Sequence, residues 1–323
     1  MNNSWQWMMM NFDSYERVVL QKVFVVLLLS SLFAACAQQK SDSANYRNEI
    51  KAWQAERTRS LLAEDGWLNL VGLFELHPGI NTFGSGADND LVFNVPAVPA
   101  HIGYFDVDEQ ISIKIVAGVL VVSASDTVRE MPVMTDADSA ATIFALGSLR
   151  WHVIQRGEKR YVRLRDFESE AVKRFAGNKY YPIDPKWRVQ AELKPFDKRK
   201  IVPVPNVLGE IIEWNSPGQL EFEIDGETYQ LTALGDMGDD ELFVIFSDAT
   251  NGSETYPAGR FMYVRTPGED GLTVLDFNKA YNPPCVYTEY ATCPLPPAEN
   301  NLQIRVEAGE KNYGGSHELN VTY

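Results

Sequence analysis

Leu220–Leu234 reads LEFEIDGETYQLTAL: two runs that alternate apolar and polar residues, joined by the dipeptide Asp225-Gly226. Alternation with a period of two sends successive side chains to opposite faces of a strand. Asp-Gly suits the two positive-φ positions of a two-residue hairpin turn, so the stretch predicts an antiparallel hairpin. The same pattern continues outward. WRVQAELK sets Trp187, Val189, Ala191 and Leu193 on one face, and LRWHVIQ and RYVRLRD, joined around Arg156, Gly157 and Glu158, read as another hairpin. WLNLVGLFEL, ISIKIVAGVLVVSAS, LFVIFSD, GRFMYVRT, GLTVLDF and LQIRVEA are further strand patterns bounded by turn residues. Strands that follow one another without helices between them pair antiparallel, so the expected fold is mainly β, built from sandwich or barrel-like units.

One helix stands before these strands. In NYRNEIKAWQAERTRSLLAE, residues 45–64, Tyr46, Ile50, Trp53 and Leu61 recur at helical spacing among charges, and Gly66 ends the pattern. Between Asp166 and Trp187 the alternation lapses while Gly177, Pro182 and Pro185 gather. This divides the body into residues 45–175, the helix with a first sandwich, and 176–323, a second β-rich unit; the alternative is one continuous sandwich with a long connection.

Upstream, the apolar run Val23–Ala35 follows Arg17 and Lys22. It is shorter than the roughly 20 residues of a membrane span and reads as the apolar part of a secretory signal. It ends in LFAAC, which resembles the bacterial lipobox cleaved ahead of a diacylated cysteine. Residues 1–35 are therefore expected to be a lipoprotein signal peptide, Cys36 the lipidated residue, and 36–44 a flexible tether. The expected location is the cell envelope, with the lipid bilayer as partner through acylated Cys36. The net charge of −15 argues against nucleic acid, which needs clustered Lys and Arg. It also leaves anchoring to the lipid, because an anionic bilayer surface repels such a body.

No metal site or cofactor is expected. Beyond Cys36 there are Cys285 and Cys293, and His77, His101, His152 and His317 lie far apart, without CxxC or HExxH spacing. Neither a G-x-S-x-G elbow, a phosphate loop nor a dinucleotide fingerprint occurs.

Polar residues gather instead in three stretches. FSDATNGSETYPAGRF holds Asp248, Glu254, Tyr256 and Arg260; DFNKAYNPPCVYTEYATCPLPPAENN holds Asp276, Asn278, Asn282, Glu299 and Asn300; AGEK holds Glu310 and Lys311. Pro283, Pro284, Pro294, Pro296 and Pro297 stiffen the second stretch. Cys285 and Cys293 are expected to pair in an oxidising compartment, closing a small ring for about 2.5 kcal/mol. A reactive Cys285 is the competing idea, and it needs a base such as His152 or His317 brought near by folding. Arg260 is expected to pair with a carboxylate.

Two functional readings follow. One is a binding site for an envelope or extracellular ligand, a glycan or a peptide. The other is a cofactor-independent hydrolase or lyase in which Glu254 works with Glu299 or Asp276 as a carboxylate pair. A structural role is the third. Separately, Arg163 and Arg165 lie two apart on a strand, on one face with Tyr161, with Asp166 as a partner for one of them. They are either a solvated face or a grip for an anionic ligand at the junction of the two halves.

GWLNLVGLFELHPGINTFGS from Gly66, WHVIQRGEKRYVRLRD from Trp151, and the polar stretches FSDATNGSETYPAGRF, DFNKAYNPPC, CPLPPAENNL and AGEK resemble one bacterial family, the domain of unknown function numbered sixteen-eighty-four. The resemblance spans nearly the whole mature chain. It implies that the polar stretches are a family hallmark and brings no reaction with it. INTFGSGADNDLVFNVPAVPAHIGYFDV is similar to the forkhead-associated pattern at Gly84, Ser85, Asn89, Asp90, Leu91 and His101. Ser85 stands where that pattern has its phosphate-gripping arginine and Val98 where it has a serine. The resemblance implies a β-sandwich without phosphopeptide binding.

Overall fold

The computed structural model describes residues 43–95, 98–207 and 209–314. The signal segment 1–35, Cys36, the tether as far as residue 42, and His317 lie outside the described residues. Helix α1 covers residues 43–62, so Ser43 and Ala44, expected in the tether, are already helical. The chain divides into two units at Trp53/Gln54. In the first, the described residues 43–53 are all helical. The second continues α1 to Leu62 and contains all the strands. Among the described residues no helix is long and apolar enough to cross a membrane. A Cβ on Gly66 would lie 2.3 Å from the Leu61 carbonyl oxygen, so only glycine lets the chain turn this closely off the helix end.

The first strands are β1 (Leu70–Leu76), β2 (Gly79–Gly84), β3 (Leu91–Val92), β4 (Gly103–Val107), β5 (Ile111–Ile115), β6 (Val122–Ser123), β7 (Asp126–Thr127), β8 (Glu130–Val133), β9 (Phe144–Leu146), β10 (Leu149–Arg156) and β11 (Lys159–Asp166). They form a six-stranded sheet in the order β1-β11-β10-β9-β6-β7 and a five-stranded sheet in the order β3-β2-β4-β5-β8. Their shared core holds Phe83, Phe93, Phe105, Phe144 and Trp151. Alternation decides which side chains enter it: Val162 and Leu164 of β11 face this core, while Arg163 and Arg165 point to the sheet's other face. The β10–β11 hairpin has a two-residue turn, with Arg156 opposite Lys159 and Gly157 at φ 57.

After the short helix α2 (Glu170–Arg174), the second set comprises β12 (Arg188–Pro205), β13 (Ile211–Ile224), β14 (Glu227–Ala233), β15 (Glu241–Asp248), β16 (Arg260–Arg265), β17 (Leu272–Asp276) and β18 (Asn301–Leu302). The sheets run β14-β13-β12-β17 and β16-β15-β18. Ile224 opposes Glu227, and Asp225 and Gly226 take φ of 53 and 84, the two positive values the opening stretch calls for. Trp187, Ala191 and Leu193 are buried as the alternation predicts, in a core with Leu220, Phe222, Val244 and Phe246.

Strand β15 is apolar on both faces because it is buried on both. Leu242, Val244 and Phe246 enter that core, and Phe243 and Ile245 enter a third cluster with Leu61, Val202, Val204, Phe261 and Tyr287. The proline-rich stretch is the lid of this third cluster. It folds as three 3₁₀ turns, Phe277–Lys279, Pro284–Val286 and Ala298–Asn300, and buries Cys285, Val286, Tyr287, Ala291 and Cys293.

The expected disulfide is not formed: Cys285 and Cys293 are buried free thiols. Spacing and compartment pointed to a bond, but the lid uses both cysteines as small apolar side chains. The Cys285 N–H donates to Cys293 Sγ at 3.0 Å and the Tyr256 hydroxyl to Cys285 Sγ at 3.7 Å.

Candidate functional site

The structure draws Asp248, Glu254, Arg260, Asn282, Glu310 and Lys311 into one connected network. At its centre the Glu310 carboxylate is fully buried. It accepts from Arg57 Nε at 3.3 Å, Asn178 Nδ2 at 2.7 Å, the Tyr180 hydroxyl at 3.2 Å, the Asn282 backbone N–H at 2.7 Å and the Tyr287 hydroxyl at 3.2 Å. Arg57 Nη2 also donates to Asn282 O at 2.9 Å, and its guanidinium lies 4.5 Å from the centre of the Tyr281 ring. Burial first, and the Glu310 charge second, push the Tyr180 and Tyr287 hydroxyls above the ordinary tyrosine range, so both stay protonated donors. Gly309, at φ 76, makes this possible: a Cβ there would lie 2.4 Å from Ala280 O.

Beside it, Arg260 Nη2 donates to Asp248 Oδ2 at 2.7 Å with both side chains fully buried. Arg260 therefore has the carboxylate partner expected of it. Its Nη2 also donates to Val306 O at 2.9 Å and its Nη1 to Ala308 O, while its Nε is buried without an acceptor among the described residues. At the surface Glu254 is held by Lys311 at 3.1 Å, the Tyr181 hydroxyl at 3.2 Å, and Arg305. Lys311 foremost keeps the Glu254 carboxyl below its ordinary range, and burial pushes Tyr181 up to about 12.

The other predicted residues stand apart from this network. Asn278 exchanges hydrogen bonds with the backbone of Asp184, and Asp276 Oδ1 accepts its N–H at 3.2 Å. Asn300 bridges Thr232 and Ile245, stitching β14 to β15. Glu299 is exposed, 4.0 Å from Lys200. The carboxylate pair is thus not assembled: Glu254 is tied to cations, Asp276 caps a turn and Glu299 lies on the surface. Tyr256 faces Cys285, and no imidazole hydrogen-bonds to that thiol among the described residues. His152 lies elsewhere, on β10.

On the outer face of the six-stranded sheet, His152 is the direct cross-strand partner of Arg163. Both are half-buried. Arg165 does not pair with Asp166; its Nη1 donates to Asn69 Oδ1 at 2.8 Å and to Gly66 O, because the turn after α1 reaches it first. Arg163 has no hydrogen-bond acceptor among the described residues, and its Nε is buried without one. Its guanidinium carbon lies 5.5 Å from the centre of the Trp67 ring. Burial and then Arg156 and Arg165 pull Arg163 down to about 10. Burial and then Arg163 and Arg165 pull His152 down to about 4, leaving it neutral at pH 7.

Among the described residues no group of His, Cys, Asp and Glu is placed to hold a metal ion. In the loop of forkhead-associated appearance, Asn89 Nδ2 donates to Gly86 O and Ala100 O, and Ser85 Oγ to Val98 O. These side chains shape their own loop.

A family model described as "Protein of unknown function (DUF1684)" matches residues 173–311. An uncharacterized protein from gene locus rrnAC0354 of Haloarcula marismortui, with a solution NMR structure, is 34% identical to this chain. The match covers 44% of this chain and 80% of that one, with a TM-score of 0.38. The chain belongs to the DUF1684 family. No curated protein matches it. The DUF1684 segment contains the buried Glu310 and Asp248–Arg260 clusters, whereas Arg57, Trp67, His152, Arg163 and Arg165 precede it.

Four residues that matter here escape a reading of the sequence: Arg57, Trp67, Asn178 and Tyr180. Arg57 alone carries a signal, since it falls on the stripe between Trp53 and Leu61, four residues from each.

Proposed function

We propose that this is a lipid-anchored cell-envelope protein that binds an anionic envelope or extracellular ligand on the outer face of its six-stranded sheet. The reading is carried by Arg163, a half-buried guanidinium in an acidic protein, flanked by Arg156 and Arg165 and without an acceptor among the described residues. An uncompensated buried donor of this kind costs about 1–3 kcal/mol, more when charged, and an anion would recover it. The carboxylate-rich loops support a hydrolase or lyase less well, because their acids are engaged with cations and backbone.

The envelope part rests on the run Val23–Ala35 and the LFAAC sequence before Cys36. Cells grown on labelled palmitate are expected to incorporate it into this protein and not into its Cys36→Ala form; equal labelling of both would defeat the anchor.

For the ligand, thermal unfolding of the full-length chain in low salt is expected to shift upward with small anions and not with neutral sugars. At a hundred times Kd the gain is about 2.7 kcal/mol. Arg163→Met should remove that gain. An equal gain in the variant would mean a general salt effect and not a site.

A further inference from the structure

We infer that His152 completes the anion site of Arg163 by taking up a proton as the anion binds, so that the site holds small anions more tightly in mild acid than at neutral pH; this rests on the anion-binding reading above. Strand register brings the two groups together.

His152 of β10 and Arg163 of β11 are direct cross-strand partners. Such partners point to one face of the sheet with Cβ atoms about 4.5–5.5 Å apart, so an anion seated on the guanidinium comes within reach of the imidazole. Both side chains are half-buried, and the Arg163 Nε is buried without an acceptor. The imidazole makes no hydrogen bond among the described residues. Neither group has to give up a protein contact to meet the anion.

The charges around the imidazole set the direction of the effect. It faces Arg163 and Arg165 on β11, Arg156 and Arg150 along β10, and Asp136 from the segment after β8. Arg150 and Arg165 bond only neutral oxygens and keep their charge. Asp136 offsets Arg156 at 2.8 Å. Burial first, then Arg163 and Arg165, hold the imidazole down to about 4, so it is neutral at pH 7. An anion on Arg163 cancels the repulsion from that side and gives an imidazolium an opposite charge to face.

The neighbours do not compete for the proton. The arginines stay charged. Burial pushes the Asp136 carboxyl up, but the Gln155 N–H and Arg156 outweigh it and hold the group below its ordinary range, so it stays ionised. Tyr161, diagonal to His152 on β11, is pushed up by burial and stays protonated. Among these groups His152 alone changes charge between pH 7 and pH 5.

The complex therefore holds the proton more firmly than the free protein does. Affinity rises as pH falls through the value of the bound imidazole and levels off near about 4, where the free protein is protonated as well. An anion that does no more than restore the ordinary value of about 6.5 makes the gain from pH 7 to pH 5 about twentyfold.

The test is calorimetric titration of the full-length chain with sulfate and with glucuronate, both fully ionised from pH 7 down to pH 5, in low salt and in two buffers of different ionisation enthalpy. Wild type, His152→Gln and Arg163→Met are compared at pH 7 and pH 5, each with its near-UV circular dichroism recorded at both to show that it is folded. Arg163→Met should lose at least tenfold in affinity at either pH. Wild type is expected to gain at least threefold on going to pH 5, over and above any gain in His152→Gln, and the buffer dependence of its heat should report proton uptake. In wild type the His152 ring resonances should titrate at higher pH with saturating sulfate than without it, a readout that needs no variant. Arg163-dependent binding with no such gain over His152→Gln, or a His152 titration that sulfate leaves in place, would overturn the proton coupling and leave the anion-binding reading standing. Binding of neither anion, or binding indifferent to Arg163, would overturn both.

Discussion

Glu310→Ala is expected to destabilise the protein by at least about 4 kcal/mol, a large part of the roughly 5–15 kcal/mol that a folded domain has in total. The substitution strips one acceptor from five donors: the Arg57 guanidinium, the Asn178 amide, the Tyr180 and Tyr287 hydroxyls and the Asn282 N–H. These come from α1, the connector before β12 and the proline-rich lid, so the loss loosens several segments at once. Glu310→Gln keeps the volume and some acceptor capacity but leaves Arg57 without its counter-charge, and should fall between Ala and wild type.

Alkaline titration gives an independent reading. Tyr180 and Tyr287 ionise above the ordinary tyrosine range in the folded protein, and near 10 when unfolded. Above about pH 10 the unfolded chain therefore binds fewer protons, and stability falls as pH rises. Glu310→Gln should flatten that decline. Urea midpoints across pH 7–11 check both points. A Glu310→Ala protein within about 1 kcal/mol of wild type would show that the network is not a keystone.

The second large effect is expected at Arg260. Arg260→Met leaves the Asp248 carboxylate buried and uncompensated, and breaking one side of a buried pair costs about 3–5 kcal/mol. It also frees the carbonyls of Val306 and Ala308, so the irregular segment before Glu310 loses these ties to β16. Arg260→Lys should recover less than half of the loss, because an ammonium cannot present two nitrogens in one plane. Hydrogen exchange should localise the damage to the segment ending at Glu310. A lysine variant as stable as wild type would reduce this cluster to a simple charge contact.

Local chemistry explains what could be read in advance. The Asp225-Gly226 turn, the inward face Trp187–Leu193 and the LFVIFSD strand are each written within about ten consecutive residues, where local pattern and turn type govern. Arg260's need for a carboxylate was also legible, since a charged residue in an apolar strand pattern requires a partner.

The site was harder, because its contacts join residues far apart in the chain. Arg57 and Glu310 meet across a separation of 253 residues. The polar loops read as a ligand site because acids, amides and prolines look alike whether they face a ligand or seal a core; Asn300, bridging Thr232 and Ile245, does the latter. The His152–Arg163 pairing needed the turn length: a two-residue turn aligns them, and a three-residue turn would not. The cysteines misled because spacing is silent on whether two thiols are packed as apolar side chains.

The central claim is that Arg163 and His152 together form an anion grip. Titrating the isotope-labelled full-length chain with glucuronate while following the arginine Nε–H resonances tests it most directly. A saturable shift of the Arg163 Nε–H signal is expected, with Arg57 and Arg260 unmoved in their buried networks. An Arg163 signal that stays still at saturating glucuronate, or one that moves no more than those of Arg57 and Arg260, would contradict it.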